Sequence, residues 1–561
     1  MVVGDYASFV SLFDENLGMD LTKEIPVLPK AVEAMPQYLF PNRMVCGFGD
    51  THPSTLRTDI FRYMIQNART HGKSEEERKF TAMLKLFDPS SSLPVAERGK
   101  APVAITSFFA GKPLVLDEKV KAGQIDDYVT PTFYAPNVSW LVQRNGMNPR
   151  HSLMVSLNGS EGNHMHANGI SMELYGKGYV LGPDAGIGKT LYQGLDYLEY
   201  YSQFPSHNTV CVDGISSYPV MKSNHSFKLR ALYPAAGERL PYQPISYSEV
   251  YFREPETFAD QTRLNGIVNV GDSAGYYIDI FRSRKVEGGD KMHDYFYHNL
   301  GQQMTLTVAD GSELGLQPTQ ELAFAGAHLY AYSYIYNKKR AVTSKDVKAG
   351  FTIQMPDKDD ITMNLWMKGE EGREIFSALS PMTEGLSRIK NMPYSIKDQP
   401  TLTFVARQKG EAWNRPFVAV YEPSTLKEPS CIASVDYPQV KSEQQGSHVG
   451  IRVALTNGSV DWILSSDENA HHCKLEKLQA RAGYALCRQS EKGETLQAFL
   501  GNGTQLEADG VSIRTDAPAD VLLLKQDGKW MYTATAPCRV VVGKKKIYAF
   551  SFKRVTSFEV K

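Results

Sequence analysis

Hydrophobic and polar residues follow two different periods in the two parts of this chain. From Tyr6 to about Leu86, apolar residues recur at helical spacing, most clearly from Leu56 to Ala68. A stretch rich in proline and serine follows, which we interpret as a linker over residues 91–104. Beyond it, short runs rich in Val, Ile, Thr and Tyr alternate with Gly, Asn and Asp. The pattern therefore predicts a few helices followed by a large antiparallel β assembly.

The predicted organisation has four parts. Residues 1–90 form helices, residues 91–104 a linker, residues 105–395 a central β unit and residues 396–561 a C-terminal β unit. The last boundary rests on the polar stretch around residues 390–400. Helices segregated from strands place the fold in the α+β multidomain class and not among parallel α/β sheets. Because a few helices make a poor domain alone, we expect the chain to begin partway through a larger helical unit.

Composition and charge describe an ordinary globular protein. The 561 residues include 61 basic and 62 acidic side chains, and 42% are hydrophobic. This balance predicts no field that attracts nucleic acid, and no apolar run has membrane-spanning length. The first residues lack the basic and apolar segments of a signal peptide. Six scattered cysteines without a Cys-x-x-Cys pair indicate neither a zinc ribbon nor a dense disulfide scaffold.

The densest group of chemistry-bearing residues lies in the segment 163–214. Its three motifs are His-Met-His-Ala-Asn, Gly-Pro-Asp-Ala-Gly and Ser-His-Asn-Thr-Val. Their side chains His166, Asp184 and His207 are the ligand types that Zn²⁺ selects in proteins. The imidazole of His164 is left beside them for chemistry. The segment therefore predicts an active site supported by a metal ion.

A flat hairpin would not bring the three ligands together. With its turn centred on residue 177, Asp184 lies about 13 Å along the strands from His166. A metal site therefore requires residues 164–169 to curl back over the sheet, which the Asn-Gly pair in this segment permits because both residue types tolerate positive φ. The alternative is that Asp184 caps a glycine turn and the histidines are hydrogen-bonded residues at strand ends. The pattern alone leaves both interpretations open.

These motifs resemble those of the heparinase II/III-type polysaccharide lyases, to which oligo-alginate lyases are related. The likeness covers residues 163–214 and includes the Tyr-Tyr pair at 200–201. The resemblance implies the C-terminal end of an α/α toroid followed by a large antiparallel multi-sheet β-sandwich. It also implies cleavage of uronic-acid polysaccharides by β-elimination, and secretion or periplasmic residence.

The resemblance also implies a role for each residue of the motifs. His164 matches the catalytic histidine of the family, and His166, Asp184 and His207 match its metal ligands. The implied cofactor is Zn²⁺ in a structural role, fixing the loop that bears the catalytic histidine. The family usually has an aspartate where this chain has Asn168, which is not one of the three ligands.

Other positions are weaker candidates. Tyr6 lies where the helical tyrosine of the family is expected, and His298 resembles a second position in its cleft. Asn208 and Asp213 are expected to orient the metal ligands. The run 471–473, His-His-Cys, has no partner at ligand spacing and is interpreted as a polar turn.

The predicted function is a lyase that eliminates across C4 and C5 of a uronate in an acidic polysaccharide or oligosaccharide. The C5 proton is weakly acidic, so such an enzyme needs a base, a neutralised carboxylate and a proton donor for O4. Two alternatives stay open. A uronyl C5-epimerase uses the same proton abstraction, and a non-catalytic glycan-binding β protein would have lost its acid and base.

Overall fold

The structure is a computed structural model, and it describes residues 2–51, 53–88, 90, 114–188, 195–216, 222–240, 243–323, 331–356, 358–386, 392–549 and 552–559. The predicted linker over residues 91–104 lies outside these ranges. The chain forms two compact units: residues 1–46 with 54–130, and residues 47–53 with 131–561.

Helices dominate the described part of the first unit, as the apolar periodicity predicts. Helices α1 to α4 span Val2–Leu17, Val27–Ala34, Asp59–Thr70 and Ser74–Phe87. Short 3₁₀ turns span Met35–Tyr38 and Ile125–Asp127. The apolar faces of the four helices meet in one core, whose members include Val10, Val32, Phe61, Phe80 and Leu84.

The second unit is mostly β, and its strands pair in antiparallel fashion. Its short helical turns are Pro136–Val138, Tyr197–Tyr201, Phe204–Ser206, Ala331–Tyr334 and Tyr394–Lys397. In order across the sheet, a five-stranded sheet contains Thr132–Ala135, Trp140–Arg144, Met154–Asn158, Ser171–Gly176 and Tyr179–Gly182. A two-stranded ribbon joins Ser160–Asn163 to Lys222–His225.

Two larger sheets occupy the centre of the unit. The eight-stranded sheet has the order Gln303–Val308, Val347–Ile353, Ile361–Met367, Ala412–Thr425, Gly275–Lys285, Ala259–Asn269, Ile245–Arg253 and Lys228–Tyr233. The six-stranded sheet has the order Gln317–Pro318, Tyr336–Thr343, Arg373–Ser380, Thr401–Lys409, Met292–Asn299 and Val210–Val212.

A twelve-stranded sheet follows at the C-terminal end of the unit. Its main path is Ile432–Asp436, His448–Leu455, Val460–Ser466, Leu478–Gln489, Thr495–Ala508, Val511–Gln526, Lys529–Ala534 and Phe552–Glu559. Four further strands pair beside this path: Lys441–Ser442, His472–Leu475, Cys538–Val542 and Lys545–Ala549. One hydrophobic core joins this sheet to the eight-stranded sheet, with Tyr247, Ile280, Ile451, Tyr484 and Phe499 among its members.

The strand pairing corrects the predicted boundary between residues 395 and 396. Strand Thr401–Lys409 pairs with Met292–Asn299, and strand Ala412–Thr425 pairs with Gly275–Lys285. Both strands therefore belong to the central sheets, and the change of sheet falls after Thr425. A polar stretch of sequence indicates a loop but does not say which sheet the next strand joins, because that depends on pairing between distant segments.

Candidate metal centre and catalytic histidine

Three side chains of the motif segment come together in the second unit. Each of these side chains, His166, Asp184 and His207, offers one possible ligand atom. The three atoms lie within 4.8 Å of one another. The two imidazole rings are tilted against each other with their centroids 5.4 Å apart. Both rings are fully buried, and the carboxylate side chain is 4% exposed. The predicted convergence is therefore present, in a site shielded from water.

The loop over 164–169 curls back as the metal interpretation requires. The backbone of His164 has φ of 60° and that of Gly169 has φ of 58°, both in the left-handed region. Between them, the Ala167 amide donates to the Ser202 carbonyl at 2.8 Å. Asn168, expected to share the bend, has no positive φ; its side chain lies 2.7 Å from Ser160 Oγ. Left-handed backbone at a non-glycine residue beside a site is a strained arrangement that the surrounding contacts must hold.

The site contains two buried nitrogen atoms that the described residues leave without a hydrogen-bond partner. They are Nδ1 of His166 and Nε2 of His207. The other nitrogen of each ring faces a carboxylate: His166 Nε2 lies 3.0 Å from Asp50 Oδ1, and His207 Nδ1 lies 3.0 Å from Asp184 Oδ2. Because the Asp50 carboxylate only accepts, His166 carries its proton on Nε2 and presents the lone pair of Nδ1. His207 Nδ1 and Asp184 Oδ2 face each other as two ligand atoms of one ion would.

The unpartnered Nδ1 of His166, beside a second histidine and a carboxylate, fits a metal ion. A buried lone pair without a partner costs about 1–3 kcal/mol, whereas a cation would satisfy it. Two histidines and one aspartate are a ligand set that zinc selects, usually completed by water or a further group. Asp184 Oδ1 also accepts from the Gly186 amide at 2.9 Å, as the capping alternative predicts. A capped turn, however, gives the lone pair of His166 no partner.

Asp50 links the metal-ligand set to the exposed histidine. Its Oδ2 accepts from His164 Nδ1 at 2.8 Å, while Oδ1 accepts from His166 and from the Tyr197 hydroxyl at 2.6 Å. Burial acts to raise the pKa of Asp50, but hydrogen bonds from His166, Tyr197 and His164 more than offset it, so this pKa is lowered. The His164 side chain is 59% exposed. With Nδ1–H held by Asp50, the exposed ring presents Nε2 for proton transfer.

Gly49 allows the Asp50 segment to approach the histidine loop. The Asp50 amide donates to the His164 carbonyl at 2.9 Å. A Cβ atom on Gly49, whose φ is 54°, would lie 2.0 Å from that carbonyl oxygen. Glycine is therefore required here both by conformation and by space.

Two buried ionisable residues hold the backbone around the ligands. Glu173 accepts from the amides of Gly47 and Asp184 at 2.9 and 3.2 Å. Burial first, and then the charge of Asp184, raise the pKa of Glu173 well above its usual value. Arg263 forms a buried ion pair with Asp279 and donates to the carbonyls at 170 and 208, each at 2.6 Å. Through Arg263, the eight-stranded sheet thus fixes the segments that carry His166 and His207.

His298 is buried. Its Nε2 donates to the Pro205 carbonyl at 3.0 Å, and its Nδ1 lies 3.0 Å from Thr403 Oγ1. Burial lowers its pKa to about 3, and the side chain is 3% exposed. The predicted contact with substrate is therefore corrected to a supporting role beneath the 205–208 segment. Strand alternation could not show this, because both faces of this strand are covered.

The remaining predicted residues have different surroundings. Asn208 donates to the Met172 carbonyl at 3.0 Å and accepts from the His298 amide at 2.6 Å, which supports the ligand segment as expected. Asp213 instead binds Lys285 at 2.9 Å, so it does not orient the ligands. Tyr6 lies on α1 of the first unit and is 52% exposed.

Two residues of the site were missed from the sequence. Asp50 lies in Gly47-Phe-Gly-Asp-Thr51, far along the chain from the motif segment 163–214. Its two glycines beside an acid were a usable signal for close backbone approach. Tyr197 lies next to the Tyr-Tyr pair at 200–201 and had no distinguishing feature. Its hydroxyl reaches the site because Tyr197–Tyr201 forms a π-helical turn.

Within the described residues, no helix is both long and apolar enough to cross a bilayer.

Sequence comparison identifies relatives of the chain. Residues 10–92 match the family model of the second domain of endo-acting ulvan lyase. The endo-acting ulvan lyase of Formosa agariphila is 26% identical over 515 residues, which cover 85% of this chain and 60% of that protein.

Solved structures of other lyases are more distant. Heparinase III is 13% identical with a TM-score of 0.44, covering 77% of this chain and 51% of that one. Chondroitinase AC lyase is 9% identical with a TM-score of 0.41, covering 99% and 68%. These scores are too low to establish a shared fold. The family model and the ulvan lyase relative nevertheless confirm the expected resemblance: this chain is similar to polysaccharide lyases.

Proposed function

We propose that the chain is a polysaccharide lyase that cleaves a uronic-acid glycan by β-elimination at His164. The observation that carries this proposal is the pairing of one exposed imidazole with a buried ligand set through a shared carboxylate. Asp50 accepts from His164 with one oxygen and from His166 with the other. Since a purely structural metal site needs no exposed histidine, the bridge supports a catalytic role.

The elimination needs groups that His164 and its partner supply. Nε2 of His164, left with its lone pair, takes the C5 proton of the uronate. The C5–H electrons form the C4–C5 double bond, and the C4–O4 bond breaks with its electrons on O4, which then takes a proton. Asp50 holds the ring in the correct tautomer and stabilises the imidazolium that forms.

His166, Asp184 and His207 would hold Zn²⁺. When bound, the ion supplies a rigid cross-link between the loop at 164–169 and the segments at 184 and 207. Because His166 is two residues from His164, fixing one orients the other. The ligands are buried on the side of Asp50 away from the exposed ring, which favours a structural ion over one that contacts substrate.

The helical unit supplies the second part of the proposal. We place α1 to α4 at the end of an α/α toroid, with Tyr6 as the candidate proton donor for O4. Its 52% exposure leaves the hydroxyl accessible to a ligand. The family model of the second ulvan lyase domain, which matches residues 10–92, supports this placement.

Ulvan is the first substrate to test, because the ulvan lyase of Formosa agariphila is the relative with the longest sequence match described above. Heparan sulfate, chondroitin sulfate and alginate are the comparison substrates. A protein that degrades such polymers meets them outside the cytoplasm, so we place its site of action in the periplasm or the medium.

The test is an ultraviolet assay for the conjugated C4–C5 double bond, using the 561-residue chain. We expect turnover by the wild type and a fall of about 10²–10⁴-fold in His164→Ala. Its zinc content and melting temperature should not change, because His164 is no ligand. His151→Ala, which removes another exposed histidine, is the matched control.

Retained turnover in His164→Ala would remove this residue from its proposed role. Exchange of the C5 proton with solvent, without a new double bond, would instead identify a C5-epimerase. Binding of ulvan without either reaction would identify a glycan-binding protein.

A further inference from the structure

A second group of metal-ligand side chains lies at one end of the C-terminal sheet. His448 begins a strand, Asp467 follows the strand Val460–Ser466, and His471 precedes the strand His472–Leu475. One possible ligand atom from each of the three lies within 4.8 Å of the others. The sequence interpretation of 471–473 as a polar turn is therefore incomplete: pairing of distant strands supplies the partners that the local spacing lacks.

The three side chains surround one point beside the backbone of Gly446. A Cβ atom built on this glycine would lie 2.8 Å from Asp467 Oδ1, 3.0 Å from His471 Nδ1 and 3.1 Å from His448 Cε1. A side chain at this position would therefore be too close to all three groups, and glycine lets them gather beside the backbone. Gly446 has no positive φ, so its backbone conformation does not demand glycine.

His471 faces this point with Nδ1, and His448 faces it with Cε1, the ring atom beside Nδ1. His448 Nε2 lies 3.1 Å from the Gln444 carbonyl and must donate to it, which leaves Nδ1 with its lone pair. A ligand histidine whose other nitrogen donates to a backbone carbonyl is the usual arrangement in metal sites. His471 Nδ1 is buried and makes no hydrogen bond to the described part of the chain. Ser466 Oγ and Cys473 Sγ also approach His448 Nδ1, at 3.1 and 3.4 Å.

Asp467 is held in place by groups that donate to it. Trp413 Nε1 donates to Oδ2 at 2.8 Å, and the Ser447 amide donates to Oδ1 at 3.0 Å. The nearby guanidinium of Arg282 is directed at Ser447 and Ser465, so it does not pair with this carboxylate. Each carboxylate oxygen thus accepts one hydrogen bond, and each has a further lone pair that could bind a cation.

We propose that His448, Asp467 and His471 bind a divalent transition-metal ion, with Zn²⁺ as the first choice. Two imidazoles and one carboxylate match the ligand preference of zinc, and water completes the coordination because the three side chains are half-buried. The ion ties the start of His448–Leu455 to the connection that follows Val460–Ser466. It acts as a structural cross-link within the sheet and takes no part in turnover.

The test counts zinc in the full chain after removal of all metal and reloading with Zn²⁺, by elemental analysis and calorimetric titration. His471→Ala should contain one zinc per chain fewer than the wild type, and its high-affinity binding event should disappear. His472→Ala is the matched control, since it removes the adjacent histidine outside the cluster. Gly446→Ala should also lose this zinc while keeping every ligand, because its methyl group would push the three ligand side chains apart.

The result does not depend on the proposed function, because the count needs no substrate and turnover should be the same in all three variants. Equal zinc content in His471→Ala and His472→Ala would overturn the proposal. Should His471→Ala fail to fold, unchanged zinc content in Gly446→Ala would overturn it instead.

Discussion

The two clusters of this protein contain the same residue types but differ in their surroundings. His166, Asp184 and His207 are buried, and Asp50 joins them to an exposed imidazole. The C-terminal cluster is half-buried, and its carboxylate is held by the Trp413 indole and a backbone amide. A ligand set alone therefore does not indicate catalysis. What distinguishes the first site is Asp50, which connects a ligand, His166, to the exposed imidazole of His164.

The largest expected difference between the clusters concerns turnover. His207→Ala removes a ligand of the first site, so zinc, melting temperature and turnover should fall together, because a structural metal is linked to folding. His471→Ala should lose zinc and keep turnover. Metal analysis, thermal unfolding and the ultraviolet assay measure the three quantities on the same samples. Full turnover in zinc-free His207→Ala would abolish the contrast between the sites.

The next largest effect is expected from removing the Asp50 carboxylate, which accepts from both His164 and His166. Asp50→Ala leaves His164 without its tautomer-fixing partner and His166 without its acceptor. We expect kcat/KM to fall by about 100-fold and the zinc affinity of the first site to fall by about tenfold or more. Asp50→Asn, which keeps one acceptor oxygen, should lie between wild type and alanine. Wild-type kinetics in Asp50→Ala would show that the bridge does not serve catalysis.

Smaller effects are expected from removing one hydrogen-bond donor at each site. One donor binds the Asp50 carboxylate and the other binds the Asp467 carboxylate. Tyr197→Phe removes the hydroxyl that donates to Asp50, and Trp413→Phe removes the indole that donates to Asp467. We expect Tyr197→Phe to reduce kcat by about tenfold, since it disturbs the partner of His164. Trp413→Phe should weaken zinc binding at the second cluster by about tenfold without changing kcat. Equal kinetic effects of the two variants would contradict the assignment.

The unfolding free energy also depends on pH through the titration of Asp520. This contribution must be separated from that of metal loss when the two clusters are compared at different pH values. Burial raises the pKa of Asp520 to about 6, although Asn502 and Tyr247 donate to it. A raised carboxyl pKa stabilises the folded state when protonated, so this contribution is lost as pH rises from the unfolded value of 3.8 through 6. Loss of metal acts in the opposite direction, since acid protonates the ligands.

Metal-free protein should therefore gain about 1 kcal/mol of unfolding free energy from Asp520 between pH 7 and pH 5. In Asp520→Asn this gain should be absent, because the amide does not titrate. Denaturant unfolding at the two pH values measures it. An identical pH dependence in the variant and the wild type would exclude Asp520 as the source.

Much of the fold could be predicted because it depends on local pattern. The helical period before residue 88 and the alternating runs after residue 131 correspond to the helices and strands observed. The sheet that each strand joins could not be predicted, as the strands after residue 400 demonstrate. Pairing joins segments far apart in sequence, and a local pattern contains no record of its partner.

The sequence by itself determined which residues are able to bind a metal at the first site, because the ligand types and their flanking glycines lie within one segment of about fifty residues. Only the tertiary structure decided what those residues are connected to. Asp50 reaches His164 and His166 across 114 and 116 positions, and Asp467 meets His448 across paired strands. Side-chain hydrogen bonds act over about 3 Å whatever the separation along the chain, so they appear only once the backbone is folded.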